Sequence, residues 1–142
     1  MEIRFYIDVN QEALILKFSG KLTFDRWYRG ASAVWDHKDY QKSFDGIVDF
    51  RSSELDMKTA DVKKIVEIMQ TEEEKAPRGK AVILVSEPMA AALGSIFSDN
   101  VKDVQTANIV LSEDDALKIL NLQDDLFRRV NTELAEVIHI GE

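Results

Sequence analysis

The sequence predicts an α/β domain. Its mixed β-sheet opens with an N-terminal antiparallel hairpin and continues through βαβ crossovers, with helices packed on the sheet and an additional C-terminal helix. Two strand-like segments begin the chain, and helical and strand-like patterns alternate after them, as in βαβ units. The 142 residues, 45% of them hydrophobic, have the length of one ordinary domain. We therefore assign residues 1–121 to the domain and residues 122–142 to a helical extension of it.

The N-terminal hairpin is predicted by its two-residue periodicity. Apolar side chains at Ile3, Phe5 and Ile7 alternate with polar ones, which is typical of a half-buried strand. Residues 10–12 (NQE) make a plausible turn, and residues 13–18 form a second apolar run. These features predict two strands joined by a turn.

Helices and strands are predicted to alternate after the hairpin. Thr23, Thr59 and Ser112 are the predicted N-caps of three helices, and Pro88 suits the first turn of another. Short apolar runs at residues 47–50, 81–85 and 107–111 predict the strands between them. The predicted core faces of the helices are Phe24, Trp27, Tyr28, Ala31, Val34 and Trp35; Val62, Ile65, Val66 and Met69; Met89, Leu93, Ile96 and Phe97; and Ala116, Leu117 and Leu120.

The last stretch of the chain is predicted to be an amphipathic helix. Leu126, Val130, Leu134 and Val137 recur at helical spacing, with Phe127 beside them. This spacing leaves two roles open. The helix closes over the edge of the sheet, or it packs on a second subunit or another partner.

Charge and composition exclude several classes of function. Eighteen basic residues against 26 acidic ones give a net charge of −8, which would repel a nucleic-acid backbone. The absence of cysteine excludes disulfides, thiolate nucleophiles and cysteine–zinc sites. Apolar runs are much shorter than the ~20 residues of a transmembrane helix, and no leader pattern opens the chain. We therefore expect a cytoplasmic protein that binds no nucleic acid and has no transmembrane segment.

Five stretches carry a resemblance to a known family. They are residues 20–23 (GKLT), 35–40 (WDHKDY), 44–51 (FDGIVDFR), 78–86 (RGKAVILVS) and 111–117 (LSEDDAL). The chain resembles the SpoIIAA-like branch of the STAS fold, sometimes grouped with Sec14-like lipid-binding domains, over residues 3–121. The resemblance implies a mixed sheet backed by helices that serves as a binding and regulatory scaffold rather than as a catalyst.

The phosphorylation motif of that family is missing from this sequence. In the anti-sigma-factor antagonists it resembles, a serine in an Asp-Ser-Ser-Gly motif is phosphorylated at the start of the helix after the central strand. The matching stretch here is residues 57–60 (MKTA), and Thr59 is its nearest hydroxyl. Thr59 is therefore the candidate phosphorylation site, where helix N–H groups would bind a phosphate. Its alternative role is to cap the helix.

Polar side chains follow two neighbouring inner strands. Asp49, Arg51, Ser52 and Ser53 follow one strand, and Ser86 follows the next. Ligands of open parallel sheets bind at the edge where the strands end. These five residues are the candidate ligand- or partner-binding site. Alternatively, Asp49 and Arg51 order a loop and the serines bond to turn backbone.

An aromatic stripe is the candidate lining of an apolar pocket. Phe24, Trp27, Tyr28 and Trp35 share one face of the first helix and combine large apolar area with polar groups. The alternative is that they belong to the core.

Catalytic motifs are absent from the sequence. It contains no nucleophile elbow, P-loop or dinucleotide-binding glycine pattern. Of its two histidines, His37 lies beside Asp36 and Asp39, which suggests a metal or acid–base site; the alternative is an exposed loop histidine. His139 is interpreted in the same way, as an exposed histidine. We predict no catalytic residue, metal site or cofactor.

Three functions follow from these observations. The first is a non-enzymatic regulatory or protein-interaction module, a homodimer that presents residues 51–59 to a regulatory protein partner. The second is a module that binds a lipid or a small apolar ligand, with the aromatic stripe lining its pocket. The third is an enzyme of unknown reaction.

Overall fold

The predicted hairpin begins the fold. In the computed structural model, which describes residues 1–89, 107–122 and 125–141, β1 (Glu2–Asp8) pairs antiparallel with β2 (Ala13–Leu22). The other elements are α1 (Phe24–Trp35), β3 (Asp45–Leu55), α2 (Thr59–Thr71), β4 (Ala81–Leu84), α3 (Glu87–Met89), β5 (Ala107–Val110), α4 (Glu113–Leu120), α5 (Asp125–Val130) and β6 (Glu136–His139).

The six strands form one mixed sheet in the order β5-β4-β3-β2-β1-β6. Strands β2, β3, β4 and β5 are parallel to one another, whereas β1 pairs antiparallel with both β2 and β6. The predicted fold class is confirmed: the sheet is mixed, it opens with an antiparallel hairpin, and helices pack on it.

Helices cover both faces of the sheet. On one face, α1 and α2 pack on β1, β2 and β3 through a cluster that includes Phe18, Trp27, Val34 and Ile65. On the other face, α4 and α5 pack on the inner strands through a cluster that includes Ile47, Leu84, Leu126 and Val130. Burial on both faces explains why β4 is apolar throughout rather than alternating.

Two of the three predicted helix caps are confirmed, and the third is wrong. The Thr23 hydroxyl accepts a hydrogen bond from the Arg26 amide (3.2 Å), and the Ser112 hydroxyl accepts one from the Asp115 amide (3.2 Å). Thr59 is instead the first residue of α2. The preceding residue, Lys58, is its N-cap, and the Asp61 carboxylate accepts from the Lys58 amide (3.0 Å).

The third strand is longer than predicted. We expected it to end near residue 50, but β3 continues to Leu55 because the second half of the ten-residue β2 is available as a partner. The register shifts between the pairs Lys17–Asp49 and Ser19–Ser52. Arg51, Ser52 and Ser53 therefore lie in a strand and not in a loop.

The C-terminal segment contains a helix, but the prediction of one continuous helix is wrong. Helix α5 ends at Val130, where Arg4 Nε donates to the carbonyl oxygen (3.1 Å). Leu134, predicted on its apolar face, is 62% exposed, and Val137 lies in β6. This segment is a strand because it pairs with the outer edge of β1. The spacing of its apolar residues does not predict that pairing.

Two further expectations concern the central part of the chain and the membrane. Leu93, Ile96 and Phe97, predicted as core residues, lie outside the described residues. In the part of the chain that the structure describes, none of the helices is long and apolar enough to cross a bilayer.

Candidate functional site

The candidate residues Asp49 and Arg51 form a tight ion pair. Asp49 is 2% exposed on the face of the sheet covered by α4 and α5. Arg51 Nε donates to Asp49 Oδ1 (3.0 Å), and Arg51 Nη2 donates to Oδ2 (2.8 Å). The Arg51 amide also donates to Oδ1 (3.0 Å). This bidentate geometry is the strong form of the arginine–carboxylate interaction.

Arg51 also binds the two helices on that face. Its Nη2 donates to Glu113 Oε2 in α4 (2.8 Å), and its guanidinium carbon lies 6.0 Å from the centre of the Phe127 ring in α5. The hydrogen bond to Asp49, reinforced by Glu113, raises the pKa of Arg51, and burial opposes this only partly. The contacts support the alternative that the Asp49–Arg51 pair has a structural role.

The predicted serines and Thr59 do not form one site with the Asp49–Arg51 pair. Ser53 Oγ donates to the Phe50 carbonyl (2.7 Å), whereas Ser52 and Ser86 are exposed. Thr59 is exposed at the start of α2. Binding at the serines and phosphorylation of Thr59 stay predictions.

An apolar cavity lies between the sheet and the helices α1 and α2. Its volume is about 120 Å³. Its described lining residues are Leu14, Leu16, Phe18 and Leu22; Trp27, Ala31 and Trp35; Tyr40 and Phe44; Gly46, Val48, Phe50, Leu55 and Met57; Val62, Ile65 and Met69; and Pro77, Ala81, Ile83, Val85 and Met89. We call this space the apolar cavity.

The predicted aromatic stripe is divided by the structure. Trp27 and Trp35 line the apolar cavity, but Phe24 and Tyr28 do not. Phe24 stacks on Tyr28, with ring centres 6.3 Å apart, and Lys64 Nζ lies 5.5 Å from its ring centre. Tyr28 is 43% exposed. Only the inner half of the stripe therefore belongs to the cavity.

Most of the cavity lining was predicted only as core or not singled out. Leu14, Leu16 and Phe18 lie two residues apart in the apolar run of β2 and so share one face of the strand. The helical pattern of α2 identifies its core face. Which of these side chains border the cavity depends on how the helices pack on the sheet. The periodicity of the sequence does not show this.

Tyr40 borders the apolar cavity, and its hydroxyl is hydrogen-bonded. Its Oη donates to the Lys75 carbonyl oxygen (2.7 Å). Burial raises the pKa of Tyr40, and the positive charge of Arg78 opposes the increase only partly. Tyr40 therefore remains neutral and a hydrogen-bond donor over the whole physiological pH range.

The raised pKa of Tyr40 predicts a loss of stability in alkali. Between its unfolded pKa of about 10 and its higher folded pKa, only the unfolded state releases the proton. The contribution of Tyr40 is therefore complete below about pH 10 and is lost as the pH rises further. We expect the urea midpoint of the wild type to fall more between neutral pH and about pH 11 than that of Tyr40→Phe. The control is Tyr28→Phe, which alters an exposed tyrosine; an equal fall in all three proteins would contradict this prediction.

His37 is not the exposed loop histidine of the alternative prediction. Its side chain is 16% exposed, and Nε2 lies 2.9 Å from Glu136 Oε2 in β6. Its Nδ1 accepts from the Asp39 amide (3.0 Å), and its ring meets Phe5 edge-on at 5.6 Å. His37 thus connects the end of α1 to β6. The two segments are distant in sequence, so no local pattern predicts this contact.

The described residues contain no group of three or more His, Asp or Glu side chains placed to hold a metal ion. His139, the other histidine, is exposed in β6. Neither histidine therefore forms part of such a group in the described part of the chain.

The chain matches no protein-family model and no curated protein. The resemblance to the SpoIIAA-like branch therefore rests on the five stretches quoted above.

Proposed function

We propose that the protein is a non-enzymatic module that binds a small apolar molecule, or the end of a lipid chain, in the apolar cavity. The observation that supports this proposal is the cavity itself, with a volume of about 120 Å³ and a lining made almost entirely of hydrocarbon side chains. Transfer of apolar surface from water to such a site is favourable by roughly 25 cal/mol per Å².

The chemistry of the lining favours binding over catalysis. Among the described residues that border the cavity, Tyr40 is the one with an ionisable side chain. General acid–base catalysis needs groups that exchange protons near the working pH, and the raised pKa of Tyr40 moves it away from that range. The Tyr40 hydroxyl already donates to the Lys75 carbonyl, so this wall offers a ligand mainly apolar contact.

The proposal is tested by the fluorescence of the two tryptophans, which both line the cavity. We expect benzene, a probe of the size that a cavity of this volume admits, to produce a saturable change in the wild type. Ala31→Leu should abolish the change because its larger side chain enters the cavity, and Ala33→Leu, on the exposed side of the same helix, should retain it. Circular dichroism checks that both variants are folded.

Native mass spectrometry gives a second test that needs no variant. Mass carried by the freshly purified protein and released on denaturation would support a bound ligand. A wild-type protein that carries no added mass and whose fluorescence does not respond to benzene would overturn the proposal.

Exposed hydroxyl groups favour a second candidate, the regulatory module implied by the family resemblance. Ser52 in β3 and Thr59 at the start of α2 are both open to solvent and lie at either end of the segment proposed for a protein partner. The protein would then act as a cytoplasmic homodimer controlled by phosphorylation. Peptide mass spectrometry of protein isolated from its own cells tests this: phosphate on either residue supports it, and unmodified residues in growing and stressed cells oppose it.

A further inference from the structure

The volume of the apolar cavity limits the size of its ligand. The cavity measures about 120 Å³, and an apolar cavity of about 150 Å³ binds benzene. A long hydrocarbon chain would extend beyond this space, whereas a single six-membered ring fits within it. The chemistry of the walls then decides which kind of ring the cavity binds.

Aromatic side chains border the apolar cavity on two opposite walls. On the helix wall, Trp27 and Trp35 of α1 meet edge-on, with ring centres 6.2 Å apart. On the sheet wall, the rings of Phe18 in β2 and Phe50 in β3 are tilted, with centres 5.3 Å apart. Aromatic rings attract one another beyond the apolar area that they bury, through their quadrupoles. A ligand between these walls therefore meets aromatic side chains on both sides.

Methionine side chains add to the preference for an aromatic ligand. The chain has four methionines, and the three that follow Met1 all border the apolar cavity: Met57, Met69 and Met89. The sulfur of methionine is polarisable and makes favourable contacts with aromatic rings, often at the ring edge. An aliphatic ring lacks the π-system on which these contacts depend. The lining therefore favours an aromatic ring over an aliphatic ring of similar size.

Buried hydrogen-bonding groups around the apolar cavity are already paired. Tyr40 Oη donates to the Lys75 carbonyl oxygen (2.7 Å). Among the residues that the structure describes, every buried side-chain nitrogen or oxygen has a hydrogen-bond partner. A hydroxyl or a charged group on the ligand would lose its water without gaining a partner, which weakens binding.

We propose that the ligand of the apolar cavity is a single uncharged aromatic ring without hydrogen-bonding substituents, recognised by the aromatic pairs on the two walls and by the three methionines. This inference rests on the proposed function and gives its ligand a chemical class. Benzene belongs to this class. Cyclohexane and phenol, which are of similar size, do not.

The test follows the ¹³C-labelled methyl groups of the four methionines by NMR during titration with benzene, cyclohexane or phenol. The ring current of benzene should shift the signals of the three methionines in the lining and leave that of Met1, outside it, unchanged. After each Kd is corrected for the transfer of the probe from water to hydrocarbon, benzene should bind about fivefold more tightly than cyclohexane. Phenol should bind at least about tenfold more weakly than benzene, because its hydroxyl loses its water.

Two substitutions of the same kind provide a matched control. Leu16→Met adds a sulfur to the lining and should tighten benzene about threefold without changing cyclohexane. Leu120→Met, buried on the opposite face of the sheet, should change neither. Met69→Leu removes a sulfur and should weaken benzene about threefold. Thermal melts show whether each variant is folded.

The outcomes separate this inference from the function on which it rests. Equal corrected affinities for benzene and cyclohexane, phenol as tight as benzene, or the same response of both rings to Leu16→Met would overturn the aromatic class, while the cavity remained a binding site. Binding of none of the three probes would overturn both. The comparison of the probes uses the wild type, so it decides the question even if a variant does not fold.

Discussion

Gly79→Ala is expected to lower the free energy of unfolding by about 3 kcal/mol, at the upper end of the range for overpacking. A Cβ atom at this position would collide with the Phe44 carbonyl oxygen and would lie 2.7 Å from its carbonyl carbon and 2.8 Å from the Ser43 oxygen. These are backbone atoms and cannot rotate away as a side chain could. The Gly79 amide also donates to the Lys42 carbonyl (3.2 Å), which holds the two segments together.

The matched control for this prediction is Gly141→Ala. A Cβ there meets nothing within 4 Å, so its urea midpoint should equal that of the wild type. Equal midpoints for the two variants would show that the loop before β4 can move away from residues 42–44.

Arg51→Met is expected to cost about 2 kcal/mol. Among the described residues, the change leaves the buried Asp49 carboxylate with one partner, a backbone amide, and an uncompensated buried charge is strongly destabilising. Complete burial of both partners would cost ~3–5 kcal/mol, but the Arg51 side chain is one-third exposed and water compensates part of the loss. Equilibrium denaturation in urea measures the difference.

Two further variants make this prediction specific. Arg29→Met breaks an exposed ion pair with Asp25 (2.9 Å) and an exposed hydrogen bond to the Gly141 carbonyl (2.6 Å), and it should cost less than about 1 kcal/mol. The double variant Asp49→Leu, Arg51→Met should recover part of the loss because no charge is left buried. An equal loss in the free energy of unfolding for Arg29→Met and Arg51→Met would contradict the prediction. It would show that the burial of Asp49 does not strengthen its ion pair with Arg51.

Local patterns predicted the elements whose conformation depends on their own residues. The apolar face of α2, at Val62, Ile65, Val66 and Met69, is buried as expected, because helical spacing records which side faces the sheet. The second half of β3 was missed because Ser52 and Ser53 are polar and their pairing partner is β2, far away in the chain. Strand β6 was missed for a similar reason. Leu134 and Val137 have helical spacing, and the sequence does not show that β1 has a free edge with which this segment can pair.

The candidate site was predictable to a smaller extent. Trp27 and Trp35 were identified because aromatic residues on a buried helix face are suited to line a pocket. Asp49 and Arg51, predicted as part of a binding site at the strand ends, instead form an ion pair. This pair lies on the face of the sheet opposite to the apolar cavity. A second, polar pocket was not predicted, since it arises where the ends of α1 and α2 meet. Its residues are distant in sequence: Tyr28, Ser32, Trp35, Asp36, Glu72 and Lys75.

The pairing of β6 with β1 has a consequence for synthesis on the ribosome. Strand β1 pairs on one side with β2, which follows it directly in the chain. Its other side pairs with β6, which is synthesised more than 120 residues later. At ~5–20 residues per second, the nascent chain exposes this open backbone edge for several seconds. During that interval an unpaired strand of another chain can add to it, so crowded translation is the condition under which this protein is most exposed to misassembly.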